Sequence, residues 1–133
     1  MVEAVPAEPE KLVVYSSRNE QLIKPLFDAY TASSGVDIEF ITDKDGPLIQ
    51  RLRAEGDASP ADILLTVDAG NLWFAKQLGL LQPIQTDTLD DAVPVHLRDP
   101  DHFWHALSVR ARTIVYHPDR VDAETLSTYA ALA

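Results

Sequence analysis

Short apolar runs alternate with segments of helical periodicity along most of the chain. Residues 12–15 form a β-branched and aromatic run that predicts a buried strand. Residues 36–41 alternate apolar and polar side chains, and residues 63–67 are continuously apolar, which favours the buried middle of a parallel sheet. Strands separated in this way by helical segments predict an α/β fold with a doubly wound, mostly parallel sheet.

Helix signals fill the intervals between these strands. The first helix carries apolar residues at helical spacing: Leu22, Ile23, Leu26, Phe27 and Tyr30. Ser17 and Glu20 predict a capping box at its start, and Gly35 predicts its end. Pro25 predicts either a kink or the first turn of a helix that begins later.

Further elements are predicted along the rest of the chain. A second helix is expected from Pro47 to Gly56, and a short third helix from Leu72 is expected to close at Gly79. Residues 86–105 look irregular. Strands are predicted around residues 104–109 and 113–116, followed by a last helix over residues 122–132.

Charge and composition exclude several classes of partner. The 133 residues include 21 acidic and 11 basic side chains, a formal net charge of −10, and no cysteine. This field repels nucleic acid and anionic membranes and favours a cationic ligand, although acidity can also serve solubility alone. No apolar run approaches the roughly 18 residues of a membrane span. We therefore expect neither nucleic-acid binding nor membrane insertion.

Motifs for nucleotide binding and hydrolysis are missing from the sequence. None of the five glycines forms a phosphate-binding loop, and no nucleophile elbow or zinc-protease helix occurs. His96, His102 and His105 lie near Asp99 and Asp101, which superficially resembles a zinc site. Their spacing matches no regular metal motif, so solvated histidines in an acidic loop are the favoured interpretation.

Three polar loops are predicted at the carboxyl ends of the strands, where ligands bind in doubly wound sheets: residues 16–20, 42–46 and 68–71. Asp68 is predicted to face this cleft or to cap the following helix, and capping is favoured. Glu20 is predicted as a capping-box partner or as a hard oxygen ligand. Asp43 and Asp45 are expected to serve turns and caps.

Arg110 and Arg112 are predicted to share one face of a strand. Arginines in this position normally pair with carboxylates. The functional alternative is that one of them binds a small anion through its fork of N–H donors.

Several separate motifs resemble ferric-iron-binding proteins of bacterial ABC importers. The most distinctive are Tyr15-Ser16-Ser17-Arg18, Leu48-Ile49-Gln50-Arg51-Leu52, Ser59-Pro60-Ala61-Asp62-Ile63 and Thr66-Val67-Asp68-Ala69-Gly70-Asn71-Leu72-Trp73. Further similar segments are residues 55–56, 79–83, 95–100, 110–116 and 126–129. The resemblance therefore covers nearly all of residues 11–133.

This resemblance implies a lobe of a type II periplasmic binding protein, which is a receptor and not an enzyme. Such receptors close two lobes around Fe(III), often with carbonate or a similar anion, and deliver it to ABC permease subunits. The implied location is the periplasm, with a signal peptide already removed. The implied first-lobe wall contains Glu20 and Asp68 as metal ligands and Arg18 and Arg110 as anion-binding residues.

Two departures from the family pattern affect the site. Many relatives carry a histidine and a tyrosine after the Tyr-Ser-Ser-Arg motif, where this chain has Asn19 and Glu20. Glu20 can replace the tyrosine as an oxygen donor, or the first lobe contributes little direct coordination. The adjacent tyrosine pair of the family belongs to a later part of the chain.

Family members are more than twice as long, so we interpret the sequence as the amino-terminal part of such a receptor. Residues 1–10 are expected to be a flexible leader, residues 11–107 the first lobe, and residues 108–133 a crossover strand and the start of the second lobe. A lobe without its partner exposes apolar surface through which it can dimerise. The alternatives are a lobe that binds an oxyanion or polyamine, and an enzyme domain using Asp68 or the histidines.

Overall fold

The computed structural model of the chain describes residues 11–126 and 128–132. Its sheet contains three parallel strands, β1 (Lys11–Ser16), β2 (Asp37–Thr42) and β3 (Ile63–Leu65), in the order β2-β1-β3. β1 pairs along its whole length with β2, whereas only its carboxyl half pairs with β3. The predicted α/β fold with a parallel sheet is confirmed.

Four α-helices accompany the sheet in the described residues: α1 (Glu20–Ser34), α2 (Asp45–Glu55), α3 (Ala69–Gln77) and α4 (Asp87–Ala92). Short 3₁₀ helices cover Gly56–Ala58, Val95–Leu97, Ala123–Leu126 and Tyr129–Leu132. α4 was not predicted. Its start is fixed by Thr86, whose hydroxyl oxygen accepts a hydrogen bond from the Leu89 amide at 3.2 Å.

The sheet is covered on both faces, as a doubly wound fold requires. Phe27 of α1 contacts Phe40 of β2 with ring centroids 5.2 Å apart, on the face that bears Val14. On the opposite face, Tyr15 lies in a buried cluster with Leu48 and Leu52 of α2. Successive residues of a strand point to opposite faces, so Val14 and Tyr15 place α1 and α2 on the two sides of β1.

The start of α1 differs from the predicted capping box. Asn19 caps the helix, because its side-chain oxygen accepts a hydrogen bond from the Gln21 amide at 2.9 Å. Pro25 lies in the helix interior, which excludes the first-turn interpretation. The predicted end is confirmed, since Gly35 has a left-handed φ of 77° that a glycine adopts without a Cβ clash.

β3 lies at the edge of the described sheet, which corrects the prediction that it occupies the buried middle. β1 is the central strand, and Ile63 of β3 keeps 44% of its surface exposed. A continuous apolar run is compatible with an edge strand as well as with a central strand. The composition of residues 63–67 alone therefore did not distinguish these two positions in the sheet.

The predicted strands and helix after residue 104 are wrong. Only an isolated antiparallel bridge between His105 and Arg98 forms near residues 104–109, and residues 113–116 contain no strand. In place of a helix over residues 122–132, the described residues contain the two short 3₁₀ segments. Extended backbone forms a strand only where a neighbour accepts and donates its hydrogen bonds, and the described residues provide none here.

The predicted domain boundaries stay predictions. The expected leader, residues 1–10, lies outside the described residues, and the expected lobe boundary after residue 107 coincides with the beginning of an exposed segment without regular secondary structure.

Candidate functional site

The carboxyl ends of the three strands form one polar edge. The Ser17 amide donates a hydrogen bond to the Leu65 carbonyl at 2.8 Å, and the Asp43 amide donates to the Ser16 carbonyl at 3.2 Å. These bonds tie the loops after β2 and β3 to the loop after β1. Because the strands are parallel, the three polar loops lie at the same edge of the sheet, as the sequence predicted.

Two hydrogen bonds fix the loop after β1, one within the loop and one to residue 108. Ser16 is fully buried, and its hydroxyl oxygen accepts a hydrogen bond from the Arg18 amide at 3.1 Å. The Arg18 guanidinium reaches across to the Ser108 hydroxyl at 2.6 Å. Arg110 is exposed two residues further on, so this contact brings the loop of one candidate anion-binding residue to the segment that carries the other.

Glu20 is the first residue of α1 and is exposed. Its carboxylate does not make the predicted capping bond, since Asn19 performs that function. A carboxylate in the first turn is still favoured by the positive end of the helix dipole. Glu20 is therefore available at the candidate edge as an oxygen donor.

Asp68 caps α3, as favoured from the sequence. One carboxylate oxygen accepts the Asn71 amide at 2.9 Å, and the other accepts the Asn71 side-chain nitrogen at 3.0 Å. The Thr66 hydroxyl donates to the Asp68 carbonyl at 2.7 Å. A Cβ on Gly70 would lie 3.2 Å from Oδ1 of Asp68, so a glycine there leaves room for the carboxylate. Asp68 is consequently oriented by its neighbours while remaining exposed.

Asp43 and Asp45 occupy the loop after β2. An Asp43 side-chain oxygen accepts the Lys44 amide at 2.7 Å, and its turn function stays a prediction. Asp45 lies in the first turn of α2, whose N-cap residue Lys44 makes no side-chain capping bond. The Oδ1 atom of Asp45 is buried and has no hydrogen-bond partner among the described residues, a feature that the sequence did not reveal.

These carboxylates do not yet form a complete metal site. Within residues 11–126 and 128–132, no three histidine, aspartate or glutamate side chains are arranged to hold a metal ion. A shallow cavity of about 380 Å³ lies elsewhere, at the amino ends of β1 and β2, where Lys11, Leu12, Tyr30 and Val36 line it. The carboxylates of the polar edge do not line this cavity.

The histidines differ in their surroundings. His96 is exposed, in agreement with the prediction of solvated histidines, whereas His102 and His105 are half-buried with ring centroids 6.2 Å apart. The solvated interpretation is wrong for this pair because the chain folds back between Arg98 and His105.

A partly buried network around the Tyr15 hydroxyl was missed from the sequence. The Tyr15 hydroxyl donates to both Glu55 carboxylate oxygens at 2.9 and 3.0 Å, Arg51 donates to Glu55 at 2.7 Å, and the Ser59 hydroxyl donates to it at 2.8 Å. The hydrogen bond from Arg51 is the main reason that the pKa of Glu55 is lowered, while burial raises the pKa of Tyr15. The spacing of Arg51 and Glu55 on one helix face was the available signal.

Comparison with known families identifies the architecture. The description "Bacterial extracellular solute-binding protein" belongs to the family that matches residues 15–128. The chain belongs to this solute-binding family. The family is one of binding proteins and not of enzymes.

Similar solute-binding proteins have iron in their names or in their structures. The chain is 41% identical over 128 residues to Iron uptake protein A1 of Synechocystis, covering 96% of this chain and 36% of that protein. Iron uptake protein A2 of Synechocystis is 42% identical over 127 residues, 96% of this chain and 35% of that protein. The chain therefore spans little more than a third of the length of these relatives.

Solved structures support the type II fold of the solute-binding lobe. A Trichodesmium protein (IdiA, FutA) in complex with iron and citrate is 42% identical, with a TM-score of 0.83 over 92% of this chain and 39% of that chain. A Bordetella ferric binding protein is 46% identical, with a TM-score of 0.70 over 74% of this chain and 31% of that chain. The predicted periplasmic-binding-protein-like fold is confirmed. None of the helices in the described part of this solute-binding chain has the length and apolar character needed to cross a bilayer.

Proposed function

We propose that this chain forms one wall of the ferric-iron site in the extracytoplasmic binding component of an ABC importer. The observation that carries the proposal is the 41% identity to an iron uptake protein across 96% of the chain. The polar edge supports it chemically, because Fe(III) is a hard cation that prefers carboxylate, phenolate and carbonate oxygens. Such an ion does not need thiolate ligands, so the absence of cysteine does not weaken the proposed site.

Glu20 and Asp68 are the proposed metal ligands of this wall. Glu20 is exposed at the start of α1, and the capping bonds of Asp68 restrict its carboxylate without burying it. Each would supply one hard oxygen, and further ligands would come from the opposite wall of an interlobe cleft. This division explains why the described residues alone hold no three-ligand group.

Arg18 and Arg110 are the proposed anion-binding residues. The Arg18–Ser108 contact holds the first arginine near the segment that carries the second. A guanidinium presents paired N–H donors that match the oxygens of carbonate or a similar small anion. The anion would in turn supply oxygen ligands to the iron.

The domain assignment follows from the same proposal. Residues 11–107 would form the first lobe, and residues 108–133 would contain the crossover and the beginning of the second lobe. The exposed apolar side chains of this segment, with Val115 91% exposed, are then surface that the second lobe covers. The proposed location is the periplasm, and the proposed partners are the permease subunits of the importer.

A lobe exchange tests the function. The matched region of Synechocystis Iron uptake protein A1 is replaced by this chain, and the chimera is melted with and without ferric citrate plus bicarbonate. Binding to the folded state raises the melting temperature through mass action. We expect a rise comparable to that of the parent protein, and a folded chimera that ignores iron would contradict the proposal. Stabilisation by an oxyanion or polyamine in place of iron would favour the alternative ligand class.

Three variants in the chimera test the residues. Asp68→Asn and Glu20→Gln are each expected to weaken iron binding about tenfold or more, because carboxylates that bind or orient a metal have effects of this size. Arg18→Gln is expected to reduce the dependence on bicarbonate. Asp57→Asn removes an exposed carboxylate away from the edge and serves as the matched control.

A further inference from the structure

Residues 98–106 form a tight turn that we call the histidine hairpin. The Asp99 amide donates to the Trp104 carbonyl, and the Ala106 amide donates to the Leu97 carbonyl, both at 2.9 Å. At its tip His102 has a φ of 62°, a left-handed conformation that is strained for a residue with a Cβ. The His102 carbonyl accepts the Ile84 amide at 2.9 Å, which attaches the tip to the chain before α4.

Two half-buried imidazoles belong to this hairpin. His102 and His105 have ring centroids 6.2 Å apart, and one nitrogen of each ring is buried without a hydrogen-bond partner among the described residues. These atoms are Nδ1 of His102 and Nε2 of His105. A neutral imidazole tolerates such an environment, whereas an imidazolium carries two N–H donors that both need acceptors.

Carboxylates near the pair already have other partners. Asp90 of α4 forms an ion pair with Arg98 and accepts a hydrogen bond from Gln85, and its Oδ1 lies 3.9 Å from Nδ1 of His102. Asp99 is buried and accepts hydrogen bonds from Lys76 of α3 and from the Phe103 amide. Lys76 also binds Asp101.

His105 lies opposite Arg98 in the antiparallel bridge and near the His102 ring, and the carboxylates of Asp90 and Asp99 also act on its charge. A proton on His105 would meet the guanidinium of Arg98, while both carboxylates are occupied by stronger cations. We propose that the histidine hairpin is an acid-sensitive element, which opens locally when His105 is protonated. Lys76 also holds the hairpin through Asp99 and Asp101, and these bonds involve no histidine. The opening therefore breaks the backbone hydrogen bonds within the hairpin and the bond from the Ile84 amide to the His102 carbonyl.

The direction of the pH effect follows from the environment of His105. Burial, then the neighbouring His102 and Arg98, lower its pKa below the ordinary value of 6.5. The opened hairpin consequently binds the proton more readily than the closed one. Stability from the closed hairpin is present above the ordinary pKa of histidine and is lost as the pH falls from there through the lowered pKa.

Amide hydrogen exchange on the 133-residue chain at about pH 7.5 and about pH 5.5 tests the proposal, with rates corrected for intrinsic exchange. We expect protection of the Asp99, Ala106 and Ile84 amides to fall at the lower pH by up to about tenfold for each unit of pKa depression. The Gly35 amide, which donates to the Thr31 carbonyl in α1, is the internal reference and should keep its protection.

His105→Gln should abolish the fall in protection, and His96→Gln, which alters an exposed histidine, should retain it. An unchanged fall in His105→Gln, or no fall in the wild-type chain, would overturn the proposal. If His105→Gln does not fold, the titration midpoint of the His105 imidazole is measured by NMR in the wild-type chain. A midpoint below 6.5 that rises in His102→Gln supports the proposal, and a midpoint at or above 6.5 contradicts it.

Discussion

Tyr15 of β1 has no exposed surface, whereas Val115 is 91% exposed, although both lie in short runs of β-branched and aromatic residues. The difference lies in their neighbours. β1 has a hydrogen-bonded strand on each side and a helix on each face, while residues 113–116 have no strand partner in the described chain. High β propensity therefore shows that a segment suits a buried strand. Whether the strand forms depends on a neighbouring strand that can pair with it.

The largest expected loss of stability comes from a substitution in the buried cluster around Tyr15. Leu48→Ala removes a side chain that is 1% exposed and contacts the Tyr15 cluster. It should lower the free energy of unfolding by about 2–5 kcal/mol through lost transfer energy and a cavity. Val115→Ala is the control and should change it by less than about 0.5 kcal/mol. Urea denaturation of the chain measures both, and equal losses would refute the difference in burial.

A smaller effect is expected from the hydrogen bond at the end of β1. Tyr15→Phe keeps the ring of the buried residue and removes the hydroxyl that donates to Glu55. The loss should be about 1–2 kcal/mol, since a bond to a charged acceptor is replaced while Arg51 and Ser59 still satisfy Glu55. Tyr30→Phe changes a half-exposed tyrosine and should be close to neutral. Comparable melting of the two variants would show that the Tyr15 hydroxyl contributes nothing.

Capping of α3 is expected to contribute less again. Asp68→Ala should cost about 1 kcal/mol because the Asn71 amide loses its acceptor. Asp68→Asn retains a side-chain oxygen and should cost only a few tenths of a kcal/mol. Thermal denaturation distinguishes them, and a large loss in Asp68→Asn would mean that the charge itself holds the loop. The asparagine variant thereby separates capping from iron binding.

The smallest expected effect concerns acid. The hydrogen bond from Arg51, with those from Ser59 and Tyr15, lowers the pKa of Glu55 from its ordinary value of 4.5. Stability from this carboxylate is therefore present above pH 4.5 and is lost as the pH falls through the lowered pKa. Glu55→Gln should flatten that part of a stability–pH curve, while Asp57→Asn should leave its shape unchanged. An identical slope in Glu55→Gln would contradict this assignment.

Much of the fold could be predicted because local signals agreed with each other. Gly35 and Gly56 end α1 and α2 as expected, and the three strands lie within a residue or two of their predicted positions. The edge position of β3 could not be predicted, because apolar composition does not record which side of a strand has a neighbour. Asn19 and not Ser17 caps α1, while the Ser17 amide and hydroxyl both donate to the Leu65 carbonyl, 48 residues away in sequence.

Less of the candidate site could be predicted. Asp68 was identified as a cap and a cleft residue from its place after an apolar strand. Its capping is confirmed, and its iron contact stays a proposal, as it does for Glu20. The contact of Arg18 with Ser108 joins segments 90 residues apart, and the buried nitrogen of His105 depends on how residues 98–105 fold back on themselves. No periodicity or motif in the sequence specifies tertiary contacts of this kind.

The central position of β1 has a consequence for the order of assembly. The first strand of the described chain cannot complete its pairing until β3 exists, and the Val13–Asp62 bond already spans 49 residues. Contacts of this separation are slow to form, because a long loop must close before they stabilise anything. During synthesis, β1 can pair with β2 once α1 and β2 have emerged, but its other edge stays unpaired until α2 and β3 follow. This interval is when the chain is most exposed to aggregation and most in need of a chaperone.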